Sequence, residues 1–142
     1  MLKNLVIIII IIIKLLIMYN NSLSKNEYNY LEYKIDFSSF LSLKEKEYQV
    51  IFYLESCPNC SLTLEIIKKR ELYLKTSIYY VDLLEVNKEN RIKTIDNIGI
   101  NSYSEVYVNV VPLLFSIVDH TIINQIVSQE KICAFLQDII FK

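Results

Sequence analysis

Glycine occurs once in these 142 residues and tryptophan not at all; proline occurs twice, histidine once and cysteine three times. A single glycine rules out glycine-rich loops of the kind that cradle phosphate. A single histidine leaves no Ser–His–Asp arrangement, and no paired-carboxylate constellation is visible. The net charge is −1 and no basic cluster interleaved with aromatics occurs, which argues against nucleic acid as a partner. Internal repeats are absent, and the length is that of one domain. Isoleucine, asparagine, lysine and tyrosine are abundant. All four have A/T-rich codons, so the isoleucine count is not read as function.

The isoleucines do concentrate at one place. Lys3 is followed by Leu5-Val6, the seven isoleucines Ile7 to Ile13, Lys14 and Leu15-Leu16-Ile17-Met18. A basic start and a short apolar stretch read as a signal peptide or signal anchor over residues 1–19. As a helix, Leu5 to Met18 spans roughly 20 Å, short of the ~30 Å hydrocarbon core. Tyr19-Asn20-Asn21-Ser22 is a poor cleavage site, which favours a single anchored segment with the N-terminus inside and leaves cleavage as the alternative. Residues 20–31 are polar and read as a linker. On this reading the domain of residues 32–142 is membrane-anchored or secreted, on the extracytoplasmic side, where cysteines can pair.

Beyond the linker, strand and helix patterns alternate. Tyr33 to Phe37 alternates weakly and reads as a first strand; Phe40 to Leu43 reads as a short helix after Ser38 or Ser39. Tyr48 to Leu54 is nearly continuous in apolar character, as expected of a central strand buried on both faces. A helix follows to Tyr73, then a strand over Ser77 to Val81. Lys88 to Ile98 reads as a helix ended by Gly99. Leu113 to Val118 and Thr121 to Val127 form a hairpin around Asp119-His120, and Ser128 caps a last helix with Ile132, Phe135, Leu136, Ile139 and Ile140 on one face. The order β-α-β-α-β-α-β-β-α gives an α/β fold, a central mixed sheet with helices on both faces.

The most informative residues are Cys57-Pro58-Asn59-Cys60, between the central strand and its helix. Two sulfurs one helical turn apart, the first at a helix N-terminus, make a site for forming and breaking a disulfide. Unpaired N–H groups and the helix dipole favour a thiolate there, and the thiolate is the reactive species. Zinc is a rival reading. A structural zinc site needs four ligands, and only Cys57, Cys60, His120 and Cys133 are available, at spacings unlike a zinc knuckle. A static disulfide is a second rival. Cys133 reads as a buried, inert thiol and His120 as an exposed turn residue without a catalytic role.

The element order, the Cys-x-x-Cys after the central strand and Val111-Pro112 before the terminal hairpin resemble the thioredoxin-like superfamily. The resemblance runs from about Tyr48 to Lys142, with Tyr33 to Leu43 as a looser β-α extension. The Cys-Pro-x-Cys form is closer to glutaredoxins and exported disulfide oxidoreductases than to thioredoxin. The resemblance implies a cis peptide bond before Pro112, facing the cysteine pair. It further implies that Val111 offers backbone groups to an extended client. The chain departs from thioredoxin at Ile51, where thioredoxin has a buried carboxylate, and at Ser56, where it has tryptophan. The carboxylate's role is then unfilled or taken by Glu55 or water. Tyr103 to Asn109 reads as an insertion near the site that shapes partner choice.

The implied activity is thiol–disulfide exchange on protein disulfides, with Cys57 attacking, Cys60 resolving, and Pro58 and Asn59 tuning the potential. An oxidase or isomerase of exported proteins is favoured, and a reductase kept reduced by a membrane donor stands close beside it. The expected partners are proteins bearing thiols or disulfides, a redox partner protein, and the membrane through the N-terminal segment. No cofactor and no metal is implied. The alternative is a redox-inactive thioredoxin-fold binding protein with a static disulfide.

Overall fold

The computed structural model describes residues 10–14, 30–93 and 95–140. Most of the linker and most of the proposed signal or anchor lie outside them; residues 10–14 are helical and exposed. Among the described residues, no helix is long and apolar enough to cross a membrane.

Four strands form one mixed sheet in the order β2-β1-β3-β4, with β1 Glu47–Tyr53, β2 Ser77–Asp82, β3 Leu113–Val118 and β4 Thr121–Val127. β1 runs parallel to β2 and antiparallel to β3, and β3 runs antiparallel to β4. β1 is buried along nearly its whole length, as its apolar run predicts for a central strand. Period-two alternation then sorts its side chains. Tyr48, Val50 and Phe52 enter one apolar cluster, while Ile51 and Tyr53 enter another on the opposite face. The neighbouring strands follow suit, with Phe115 and Ile117 on the first face and Leu114, Ile78 and Tyr80 on the second.

The second face is covered by two α-helices, α1 Pro58–Arg70 and α2 Gln129–Ile140, through Ile67, Ile132 and Leu136. The first face has no α-helix over it among the described residues. Its cover is irregular chain carrying Phe37, Phe40, Leu41, Val86, Val106 and Val108. Short 3₁₀ turns punctuate this cover at Leu83–Glu85, Lys88–Arg91 and Tyr103–Glu105. The sheet is therefore flanked by helices, and among the described residues α-helices pack on one side only. The aromatic rings of Phe37, Phe40, Phe52 and Phe115 meet edge-to-face or stacked, with centroids 5.2–6.3 Å apart, and join this cover to the sheet.

Three expectations are corrected here. The strand predicted over Tyr33 to Phe37 is reduced to one bridge, Lys34 to Tyr80, after a 3₁₀ turn at Tyr30–Tyr33. The short helix through Phe40 is a turn, with Ser39 Oγ and Ser42 Oγ donating to backbone carbonyls three residues earlier. The helix predicted over 88–98 is four residues of 3₁₀ turn. Its asparagines explain why. Asn90 Nδ2 donates to the Val106 carbonyl at 2.7 Å, and Asn97 pairs with both backbone groups of Tyr107 at 2.8 and 2.9 Å. Buried amides that serve another segment's backbone stabilise an irregular path better than a helix.

The hairpin and the last helix follow the sequence closely. Asp119 and His120 both have positive φ, 47° and 65°, which makes the β3–β4 turn type I′ without a glycine. Gly99, at φ 88°, turns the chain so that Gly99 N–H and the Ile100 carbonyl pair with both backbone groups of Ile122 on the outer edge of β4. It does so within irregular chain and does not terminate a helix.

Candidate active site

The end of β1 sets up the site. A turn at Glu55-Ser56 brings the Cys57 N–H to the Leu54 carbonyl at 3.0 Å, and Pro58 then opens α1. Proline fits there because a first-turn N–H has no intrahelical partner to lose. Cys57 occupies the cap position. Its carbonyl accepts from Ser61 N at 3.1 Å, and its Sγ accepts from the Cys60 N–H at 3.3 Å. That second bond is the one a serine or aspartate side chain makes when it caps a helix, here given to sulfur. The first turn of α1 carries no acidic residue, and Lys68, Lys69 and Arg70 close its last turn. The absence of an acidic residue in the first turn leaves the positive end of the helix dipole at Cys57 unopposed.

The two thiols differ in access. All three cysteines are free, with Cys57 half-buried and Cys60 only 1% exposed. Burial pushes the Cys60 thiol from an ordinary 9.0 up to about 12; the contact with Cys57 adds to the rise and a Leu54 backbone contact opposes it. Pro58 and Asn59 are both exposed, with the Asn59 carbonyl taken by Thr63 Oγ1 at 2.8 Å.

Val111 and Pro112 come to the same place from 54 residues away in the chain. The Val111–Pro112 peptide bond is cis, and the Val111 carbonyl lies 4.0 Å from Cys57 Sγ. Val111 is half-buried and touches the apolar clusters of both sheet faces, whereas Pro112 is buried. The Pro112 carbonyl accepts from Ser128 N at 3.2 Å, which ties this loop to the start of α2.

The positions where the chain departs from thioredoxin are equally plain. Ile51 is fully buried in the apolar cluster that holds Cys60. Glu55 and Ser56 are exposed in the turn. Tyr103 to Asn109 lies against the first sheet face through Val106 and Val108. Cys133 is half-buried and not buried as expected: it lies one residue off the inward stripe of Ile132 and Leu136, with Gln129 Nε2 3.7 Å from its sulfur. His120 is exposed at the opposite end of the sheet, beside Lys46 and the start of β1, so the four potential zinc ligands are not gathered. Among the described residues, no group of three or more histidine, cysteine or acidic side chains surrounds a common point.

A Cys57 sulfur within reach of first-turn N–H groups and a less exposed Cys60 follow from the sequence; the complete enclosure of Cys60, at 1% exposure, does not follow from helix position alone and rests on the alternation of β1, which puts Ile51 and Tyr53 on the helix-covered face.

No protein-family model matches the chain, and no curated protein matches it in sequence. Solved structures do match it. Thioredoxin f2 from Chlamydomonas reinhardtii superposes with a TM-score of 0.53 at 17% identity, over 74% of this chain and 93% of that one. Oxidized mitochondrial thioredoxin 3 from Saccharomyces cerevisiae gives 0.53 at 16% identity, over 78% and 95%. Trichomonas vaginalis thioredoxin gives 0.53 at 19% identity, over 77% and 96%. The chain has a thioredoxin-like α/β fold with a cysteine pair one helical turn apart at the end of its central strand.

Proposed function

We propose that the protein is a thiol–disulfide oxidoreductase acting on protein disulfides through Cys57 and Cys60. One observation carries the reading. An accessible sulfur caps a helix, accepts a backbone N–H from the enclosed second cysteine, and lies beside the carbonyl preceding a cis proline. Each part has a chemical use. The Cys60 N–H and the helix dipole hold negative charge on Cys57 Sγ as it attacks or leaves. Val111 supports an extended client with backbone hydrogen bonds while its disulfide sits over Cys57. Pro58 and Asn59 tune the potential through the first turn's N–H groups.

The exchange runs in two displacements. Cys57 thiolate attacks one sulfur of a client disulfide, and the other client sulfur leaves as a thiolate and takes a proton. Cys60 then loses its proton and attacks Cys57 Sγ, releasing the second client sulfur. The client disulfide is reduced and a Cys57–Cys60 disulfide remains; the reverse sequence oxidises a client dithiol. A redox partner protein resets the pair. The basic start and isoleucine run of residues 3–18 support action outside the cytoplasm, at or beyond a membrane.

Cys60→Ser tests the reading. The variant is expected to accumulate mixed disulfides on Cys57, visible as reducible adducts on non-reducing gels, and a Cys57→Ser, Cys60→Ser double variant to accumulate none. The proposal fails if Cys60→Ser traps nothing and the full-length protein neither reduces nor oxidises a model protein disulfide.

A further inference from the structure

One leucine stands almost wholly in water. Leu72, in the 3₁₀ turn Glu71–Tyr73 that follows α1, is 94% exposed, and Tyr73 beside it is 66% exposed. A single exposed leucine is ordinary, but a continuous apolar patch is not. α1 and α2 both run away from the dithiol, one from Cys57 and the other from Ser128. A cavity of about 310 Å³ opens where they end, lined by Arg70, Tyr73, Gln137 and Ile140. Apolar surface therefore runs from Leu72 over Tyr73 to the cavity wall at Ile140.

The margin of this patch is basic. Residues 68–75 carry Lys68, Lys69, Arg70 and Lys75 against one acid, Glu71, although the whole protein has a net charge of −1. Asp138 is the exposed acid in the last turn of α2. Lys68, Lys69 and Lys75 are all exposed. Lys69 Nζ pairs with Glu65 at 2.6 Å, and Arg70 Nη1 donates to the Cys133 carbonyl at 3.1 Å. Lys68 and Lys75 thus carry the charge most open to a partner.

We propose that this end of the molecule docks on an anionic lipid surface. Leu72 and Tyr73 enter the headgroup boundary, where an apolar side chain and an amphipathic ring both leave water. Lys68 and Lys75 reach the lipid phosphates from stems laid along the apolar face. A nucleic acid would use the lysines and leave Leu72 in water, so charge and apolar exposure together favour lipid. α1 has 13 residues and rises about 20 Å, which sets Cys57 at the far end, away from the docked surface and open to clients. The docking surface stands whether or not Cys57 and Cys60 exchange disulfides.

A second exposed leucine gives the contrast. Leu84 is 68% exposed at the active-site end of the sheet, in the turn after β2. Its neighbours are Asp82 and Glu85, with Lys34 Nζ 2.9 Å from Glu85. That neighbourhood offers an anionic surface no attraction. The sign of the surrounding charge, more than exposure, separates the two leucines.

The absence of tryptophan makes the test local. Leu72→Trp and Leu84→Trp each place a single indole in the full-length protein, which reports its own surroundings however residues 3–18 partition. Emission is followed as vesicles are added, either of phosphatidylcholine alone or of an equal mixture with phosphatidylglycerol. The Leu72→Trp protein is expected to shift to the blue on the mixed vesicles and not on phosphatidylcholine alone. The shift is expected to be lost in about 1 M NaCl, where the screening length is roughly 3 Å. The Leu84→Trp protein is expected to keep its emission on both. Adding Lys68→Glu and Lys75→Glu to Leu72→Trp is expected to raise the anionic lipid needed for half the shift at least about tenfold. An unchanged far-ultraviolet circular dichroism spectrum shows that this variant keeps its fold. An equal shift on both vesicle types, an equal shift at position 84, or an undiminished shift in the folded charge-reversed variant overturns the proposal. So does the absence of any shift, which leaves Leu72 and Tyr73 to a protein partner.

Discussion

At the scale of single residues, the difference between two cysteines three positions apart organises the site. Cys57 reaches solvent because it caps α1, whereas Cys60 lies one turn inside, on the face that α1 turns to the sheet. That difference predicts a labelling order. Iodoacetamide at pH 8 on the folded, reduced protein is expected to modify Cys57 and Cys133 and to spare Cys60 until denaturant is added; peptide mass mapping reads the result. Early labelling of Cys60 would contradict its enclosure. The cysteine spacing was legible in the sequence. The half-exposure of Cys133 was not, because a helical repeat places a residue on a face only to within one position, and that one position separates Cys133 from the buried stripe.

At the scale of elements, strands and α-helices were more legible than the cover of the first sheet face. β3 and β4 begin and end where their apolar runs do, and β1 and β2 differ from the expected spans by a residue. Local pattern decided those elements because each packs against neighbours of the same periodicity. The segment 88–98 has a helical pattern yet forms little helix, because Asn90 and Asn97 bond to chain 14 to 16 and 10 residues further on. Such partners have no signature in local periodicity. Asn97→Ala is expected to destabilise the protein by about 2–3 kcal/mol, since it leaves the Tyr107 N–H and carbonyl without their shared side-chain partner. Urea unfolding of the variant checks this; a midpoint equal to that of the unaltered protein would show the clamp to be dispensable.

At the scale of the whole molecule, buried titratable groups tie stability to pH. Burial raises both Cys60 and Tyr79 to about 12, with a hydrogen bond from Tyr79 to Glu45 adding to the latter. Both groups are neutral below their unfolded values of 9.0 and 10.0 and ionise in the unfolded chain first. The unfolded state then binds fewer protons than the folded one, so stability is full below about pH 9 and falls as pH rises toward 12. Urea midpoints of the reduced protein are expected to drop steadily from pH 8.5 to 11, and Tyr79→Phe to soften that drop. A midpoint constant across this range would show that these groups titrate alike in both states.

The sequence by itself determined the four strands, the hairpin, the final helix and the place of Cys57 and Cys60 at a strand-to-helix junction, because those depend on short-range periodicity and on where proline is tolerated. The meeting of Val111 with Cys57, the sealing of Cys60 by Ile51, and the replacement of a helix by an asparagine-bonded cover were decided only in the tertiary structure. Each depends on groups far apart in the chain, or on two sheet faces, and burial sets the reactivity of a sulfur only once those groups have closed around it.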